Sequence, residues 1–283
     1  MFRRKRAWLP LGIDIGVDQI SVVAVEATRS GCIVKATASE PIPALTDAAL
    51  DLGTATLLRS LHRTLNVAER RCILGVSPED VVTREFRLPP KMRRSEAERA
   101  AILEADAAAC WPSHDRLIAL DPIPSNAASM LLSIARSSAV ERLVRIAKSA
   151  DLNPIAVDAP LCAWRRVAGD YDALIDLRSG RPVLYLFGKA VGSMDLFAST
   201  LSEDRLAAQV RAAFVQSRRD GLADIQKIAV HGEASQCAAL EAQLGADGYE
   251  INLLTLGESV GPSWALAYGL ASWSILGEQV RAA

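Results

Sequence analysis

The stretch LGIDIGVDQISVVAVE, residues 11–26, places an aspartate at the end of one apolar run and a glycine before the next. A hairpin whose tip must touch a phosphate has this form. Asp14 closes the first strand, and Gly16 lets the backbone approach where a Cβ would obstruct it. The tip then reads Val17, Asp18, Gln19, Ile20, Ser21. It has no lysine to meet an anion and only one late hydroxyl, Ser21. A carboxylate ~4 Å from a phosphate charge is unfavourable by about 4 kcal/mol at an effective dielectric near 20. Asp18 therefore works against phosphate binding unless a cation offsets it. A second apolar strand, ALIDL at 173–177, carries Asp176 near its end and runs into Arg178 and Ser179. A third, KIAVHG at 227–232, ends on Gly232, with Glu233 following at the entry to a helix.

The elements that must hold these residues can be read from periodicity. Strands are predicted over 10–16, 20–28 and 31–39, with a turn at Ser30 and Gly31, then a helix over 47–65 that Asp47 can cap and a strand over 71–76. In SPEDVVTREFRLPP, Val82, Arg84, Phe86 and Leu88 share one strand face. A helix over 95–109 is predicted, entered at Ser95 with Glu98 three residues on. It is followed by strands over 117–123 and 129–135, a helix over 137–150 and a strand over 154–158. From residue 173 the order strand, aspartate, turn, strand, turn, strand, helix, strand begins again, with helices over 202–219 and 234–244 and strands over 227–232 and 250–256. The pattern recurs once at long range, so it marks a duplicated architecture and not a solenoid.

Bulk properties exclude several classes. With 283 residues, half of them apolar, the chain can build a large core without staples. Thirty-two basic against 33 acidic residues leave a net charge of −1, which argues against a nucleic-acid binder working by bulk charge. The five cysteines and three histidines are scattered, without metal-ligand spacing, so a reduced, cytoplasmic protein with no metal site is expected. The opening MFRRKRAWLP is too short and too charged for a signal peptide. Its cluster Arg3, Arg4, Lys5 and Arg6 reads as a solvated start or as a weak contact to an anionic membrane surface. The uncharged segment 259–277 is predicted to hold a buried helix from Pro262 to Gly277, about 22 Å long and too short to span a bilayer.

Several stretches in order resemble the type IV pilus assembly protein PilM family, an actin-like ATPase branch related to FtsA. They are LGIDIG (11–16), VSPEDVVTREFRLP (76–89), ILEADAAACWP (102–112), SADLNPIAVDAP (149–160), ALIDLRSGRPVLYLF (173–187), IAVHGEAS (228–235) and PSWALAYGLA (262–271). The resemblance implies an α/β, ribonuclease H-like duplicated fold with two lobes around a cleft and a small α+β insert. Residues 1–76 would begin the first lobe, 77–150 form the insert, 151–172 return to the first lobe and 173–261 form the second. Residues 262–283 would be a C-terminal helix packing back on the first lobe. It also implies ATP and Mg²⁺ as cofactors. Asp14 would hold a metal-bound water, Asp176 would be the acid of the second phosphate hairpin, and Gly232 would leave room for the adenosine.

The departures from that pattern are all in the cleft. Ser21 stands at the lysine position of the first turn. Arg178 stands where the second hairpin expects glycine, and Arg181 and Pro182 replace its hydroxyls. Glu233 follows Gly232 where further glycines belong. Arg178 could grip a phosphate or fold across the cleft onto Asp14 or Asp18; the second is favoured, which makes the site degenerate and the protein a scaffold first. The implied partner is the cytosolic N-terminal tail of a PilN-like bitopic membrane protein, with the pilus motor ATPase as a further partner. The implied location is cytoplasmic, peripheral to the inner membrane. Arg84, Phe86, Trp111 and Pro112 are the candidates for the partner groove. A second reading is an active actin-fold ATPase, or a component like the type II secretion protein GspL.

Overall fold

The computed structural model describes residues 8–28, 31–42, 47–89, 92–123, 126–178, 182–187, 191–196, 203–219, 225–256 and 262–273. The chain divides into two compact units. Unit 1 takes Met1–Asp80, Ser137–Val167 and Thr255–Ala283, and unit 2 takes Val81–Arg136 and Ala168–Leu254.

Unit 1 is built on a five-stranded sheet. Its strands are β1 (Leu11–Ile15), β2 (Gln19–Thr28), β3 (Gly31–Pro41), β4 (Arg71–Gly75) and β8 (Asn153–Asp158), in the order β3-β2-β1-β4-β8. β1 pairs antiparallel with β2 and parallel with β4. β2 is apolar on both faces because both are covered. Ile20, Val22 and Ala24 pack with Leu58, Leu61 and Leu65 of α1 (Asp47–Leu65) and with Ile146 and Ala147 of α3 (Ser137–Ser149). Val23 and Val25 pack on the other face with Ala267 and Ala271 of α7 (Ala265–Ala271).

Two glycines let α7 approach the sheet on one side and α4 on the other. A Cβ on Gly12 would stand 1.8 Å from the Ala267 carbonyl oxygen, and one on Gly269 would stand 2.4 Å from the carbonyl oxygen of Ala163 in α4 (Pro160–Ala168). Arg166, paired with Asp158, also donates from Nη1 to the Gly269 carbonyl at 2.8 Å.

Unit 2 repeats the sheet. β9 (Ala173–Asp176), β10 (Val183–Leu186), β11 (Gly192–Asp195), β12 (Lys227–His231) and β13 (Glu250–Leu253) run in the order β11-β10-β9-β12-β13. This matches unit 1 strand for strand, with the central strand antiparallel to one neighbour and parallel to the other. Phe214, Val210 and Ala207 of α5 (Glu203–Arg219) and Leu240 and Cys237 of α6 (Ala234–Leu244) pack with Ile175, Leu184 and Val230 of the sheet.

The sheet then continues past β11. Gly192 pairs with Arg84 of β5 (Val81–Arg87), and β7 (Asn126–Arg136) and β6 (Arg116–Ile123) follow, making eight strands. The helix α2 (Arg94–Ala108) covers them with Ala101 and Ala105 against Leu132 and Ile134.

Three sequence expectations differ in detail. The stretch 77–150 does not stay together. Its strands join the unit 2 sheet, while α3 packs in unit 1, because Leu143, Val144 and Ile146 complete the apolar cluster around α1. α2 is entered two residues earlier than the Ser95–Glu98 pair suggested: the Glu96 carboxylate accepts from the Arg93 backbone N–H at 2.8 Å. The last helix opens as a 3-10 turn over Pro262–Trp264 and is α-helical over Ala265–Ala271 among the described residues. α1 starts at Asp47, whose side chain lies outside the described residues, as do Gly277, Ser30 and the cluster Arg3, Arg4, Lys5 and Arg6.

Candidate functional site

The first hairpin closes through its own backbone. The Gly16 N–H donates to the Gln19 carbonyl at 2.9 Å. A Cβ at position 16 would lie 3.1 Å from that same oxygen, so the tightness of the turn itself calls for glycine. Asp14 is half-buried, and Val17 and Asp18 are exposed at the tip. The Ser21 hydroxyl is not available to a ligand. It is buried, donates to the Ser263 carbonyl at 2.9 Å and accepts from Gln19 Nε2 at 3.0 Å. Gln19 and Ser21 thus tie the hairpin to the turn that leads into α7.

The second hairpin holds its acid differently. Arg178 donates to Asp176 from both Nε and Nη2 at 3.1 Å, and its backbone N–H adds a bond at 3.2 Å. His231 Nδ1 lies 3.1 Å from the same carboxylate and is buried. Burial by itself raises the pKa of Asp176. The Arg178 charge and the His231 hydrogen bond outweigh it and hold the carboxyl well below the ordinary range. Ser179 and Arg181 lie outside the described residues, and Pro182 is buried.

His231 entered the sequence reading only as a scattered histidine. The signal that could have found it is register. In a parallel pair, the residue ending β12 lies beside the residue ending β9, and His231 does pair with Asp176.

At the third turn, the space beside Gly232 is already occupied. A Cβ there would meet Gln236 Oε1 at 2.9 Å and Leu177 Cβ at 3.0 Å. Gln236 Oε1 accepts from the Glu233 N–H at 3.1 Å, the reciprocal half of a capping box, and Glu233 is exposed.

Of the groove candidates, Phe86 and Trp111 are partly buried against Ala101, Ala105 and Leu132. Arg84 forms an ion pair with Glu104. Arg116 bonds the Trp111 carbonyl and pairs with Asp106, and Pro112 is exposed beside them.

Among the described residues, no group of three His, Cys, Asp or Glu could hold a metal ion, and no helix is long and apolar enough to cross a membrane. Cys72 is an inert thiol, its pKa pushed up to about 12 chiefly by burial.

The duplicated sheets define the class: this is an actin-like ATPase fold. Solved structures agree. A PilM–PilN type IV pilus biogenesis complex matches with a TM-score of 0.65 and 19% identity over 94% of this chain and 98% of that one. The cytoplasmic domain of EpsL, an inner-membrane component of the type II secretion system of Vibrio cholerae, matches at 0.57 and 9% identity over 96% and 95%. A Bacteroides thetaiotaomicron protein with an actin-like ATPase fold and unknown function matches at 0.54 and 10% identity over 92% and 95%. No curated protein matches. Residues 12–181 match the family of type IV pilus assembly protein PilM, and the chain belongs to that family.

Proposed function

We propose that this protein is a scaffold of a type IV pilus platform. It binds the cytosolic N-terminal tail of a PilN-like bitopic membrane protein from the cytoplasmic side of the inner membrane, and its nucleotide elements are degenerate. The observation that carries the degeneracy is the treatment of polar groups that a phosphate would need. The Asp176 carboxylate is taken up by Arg178 and His231, and the Ser21 hydroxyl by the Ser263 carbonyl. The exposed Asp18 adds repulsion, and Gln236 and Leu177 crowd the glycine that adenosine would need open.

The partner reading is supported by family membership and by the PilN found with a structurally similar PilM. In this reading the tail lies along Arg84, Phe86, Trp111 and Pro112, where half-buried aromatics flank a strand, and the motor ATPase is a further partner of the assembly.

Calorimetry with ATP and Mg²⁺ tests the degeneracy. The unaltered protein is expected to show no micromolar binding, and the double change Arg178→Gly with Asp18→Ser is expected to raise affinity. Micromolar binding by the unaltered chain, or turnover abolished by Asp14→Asn, would replace the scaffold with an active ATPase. Capture of a PilN-like tail peptide without nucleotide, weakened by Trp111→Ala, is the matching positive result.

A further inference from the structure

Unit 1 carries a second feature that shares no residue with the hairpins or the groove. A concavity of roughly 500 Å³ lies between the C-terminal ends of α1 and α3, lined by Arg59, His62, Arg63, Asn66, Arg70 and Asp151 among others. Its walls are two helix exits. Asn66 at φ 52° and Asp151 at φ 63° are the non-glycine residues with left-handed backbone among those described, and both line it. Such residues are common where a helix stops and the chain turns away. Here the turns aim the chain into β4 and β8 and place Arg70 opposite the last turn of α1.

The charges in this place do not cancel. Arg59 is satisfied by Asp151 at 3.1 Å and by the Ser149 carbonyl. Glu69 is taken by Arg71 at 2.7 Å, and its carbonyl lies 2.8 Å from His62 Nε2. Arg63 and Arg70 are exposed and have no carboxylate partner among the described residues. Arg63 in a last helical turn is what the helix dipole favours on any surface. Arg70 precedes a strand, where no helix end asks for a cation.

The geometry points to this basic concavity, with Arg63 and Arg70 as its open charges, as a contact site for the phosphate headgroups of an anionic membrane surface. An enclosed site for a soluble phosphate would bury its donors, whereas these are exposed. Arg71, next to Arg70 in sequence, donates from Nη2 to the Trp8 carbonyl at 3.2 Å. In the sequence, Arg3, Arg4, Lys5 and Arg6 precede Trp8 with only Ala7 between. In a chain of net charge −1, Arg63 and Arg70 leave this part of unit 1 with uncompensated positive charge. Each basic residue near such a surface strengthens attraction within a Debye length of about 8 Å at physiological salt.

The test is co-sedimentation of the full chain with vesicles of phosphatidylcholine alone or with one quarter phosphatidylglycerol. The expected result is binding to the anionic vesicles alone, lost in high salt. The change Arg63→Gln with Arg70→Gln should weaken partitioning about 30-fold while leaving the thermal transition unchanged. Binding of a PilN-like tail peptide should also be unchanged in this variant, which separates the present inference from the scaffold reading. Three outcomes would overturn it. The wild type could ignore anionic vesicles, or the double variant could bind them as well as the wild type. Alternatively, glycerol 3-phosphate could bind the wild type tightly on its own and release it from vesicles, which would identify a soluble phosphate ligand. Loss of tail-peptide binding with vesicle binding intact is the second of these, and would assign the charges to an acidic partner.

Discussion

The five-stranded sheet of unit 1 and the five matching strands of the unit 2 sheet have one topology and treat their central acids in opposite ways. Asp14 in β1 and Asp176 in β9 occupy equivalent positions, so their neighbours can be compared through register. Across the antiparallel pair Asp14 faces Ser21, whereas Asp176 faces Val183. Across the parallel pair Asp14 lies beside Gly75, whereas Asp176 lies beside His231. Two residues before each acid stands Gly12 in one sheet and the fully buried Leu174 in the other. Gly12 admits the backbone of α7, and Ser21 is tied to the turn leading into it. Asp176 instead receives an arginine and an imidazole. A duplicated frame therefore does not imply a duplicated site. Small side chains around the first acid have been used to seat a helix, and larger ones around the second have made the acid a structural partner.

The comparison can be broken most forcefully at the helix seat. Gly12→Val would drive side-chain atoms into the Ala267 carbonyl and is expected to cost about 3 kcal/mol or more, read as a lowered midpoint in urea. A small loss would mean α7 is not held where this account needs it. Next comes Asp176→Asn, which leaves Arg178 and the buried His231 facing a neutral amide and is expected to cost about 3 kcal/mol. A cost under about 1 kcal/mol would mean that Arg178 and His231 do not depend on this carboxylate.

The role of Asp176 can be sharpened by pH. The folded-state pKa of Asp176 lies below its unfolded value of about 3.9. Its contribution is complete above that value and is lost as pH falls through the folded-state pKa. The stability gap between wild type and Asp176→Asn should narrow as pH falls below about 4. The smallest effect is Ser21→Ala, which removes the bond to the Ser263 carbonyl and should cost about 1 kcal/mol. It should leave nucleotide binding as it was.

Much of the frame was legible because both its signals are local. Strict apolar runs ending on Asp14 and Asp176, spaced by turns, mark two copies of one sheet. The helical spacing of Leu50, Leu57, Leu58, Leu61 and Leu65 marks α1. What was not legible depended on partners far away in sequence. Nothing local shows that α3 leaves the insert, since an amphipathic helix packs on whichever apolar face is nearest. Nothing local shows that Ser21 bonds a carbonyl 242 positions away.

By itself, then, the sequence determined the elements, their duplication, the presence of two acidic turns and their departure from the family pattern. These follow from side-chain periodicity and from which residue types a turn tolerates. Only the tertiary structure decided what each acid does. That choice rests on strand register, which places His231 rather than a glycine beside Asp176, and on backbone approach, which puts α7 against Gly12. Both are distances between segments that no local pattern encodes.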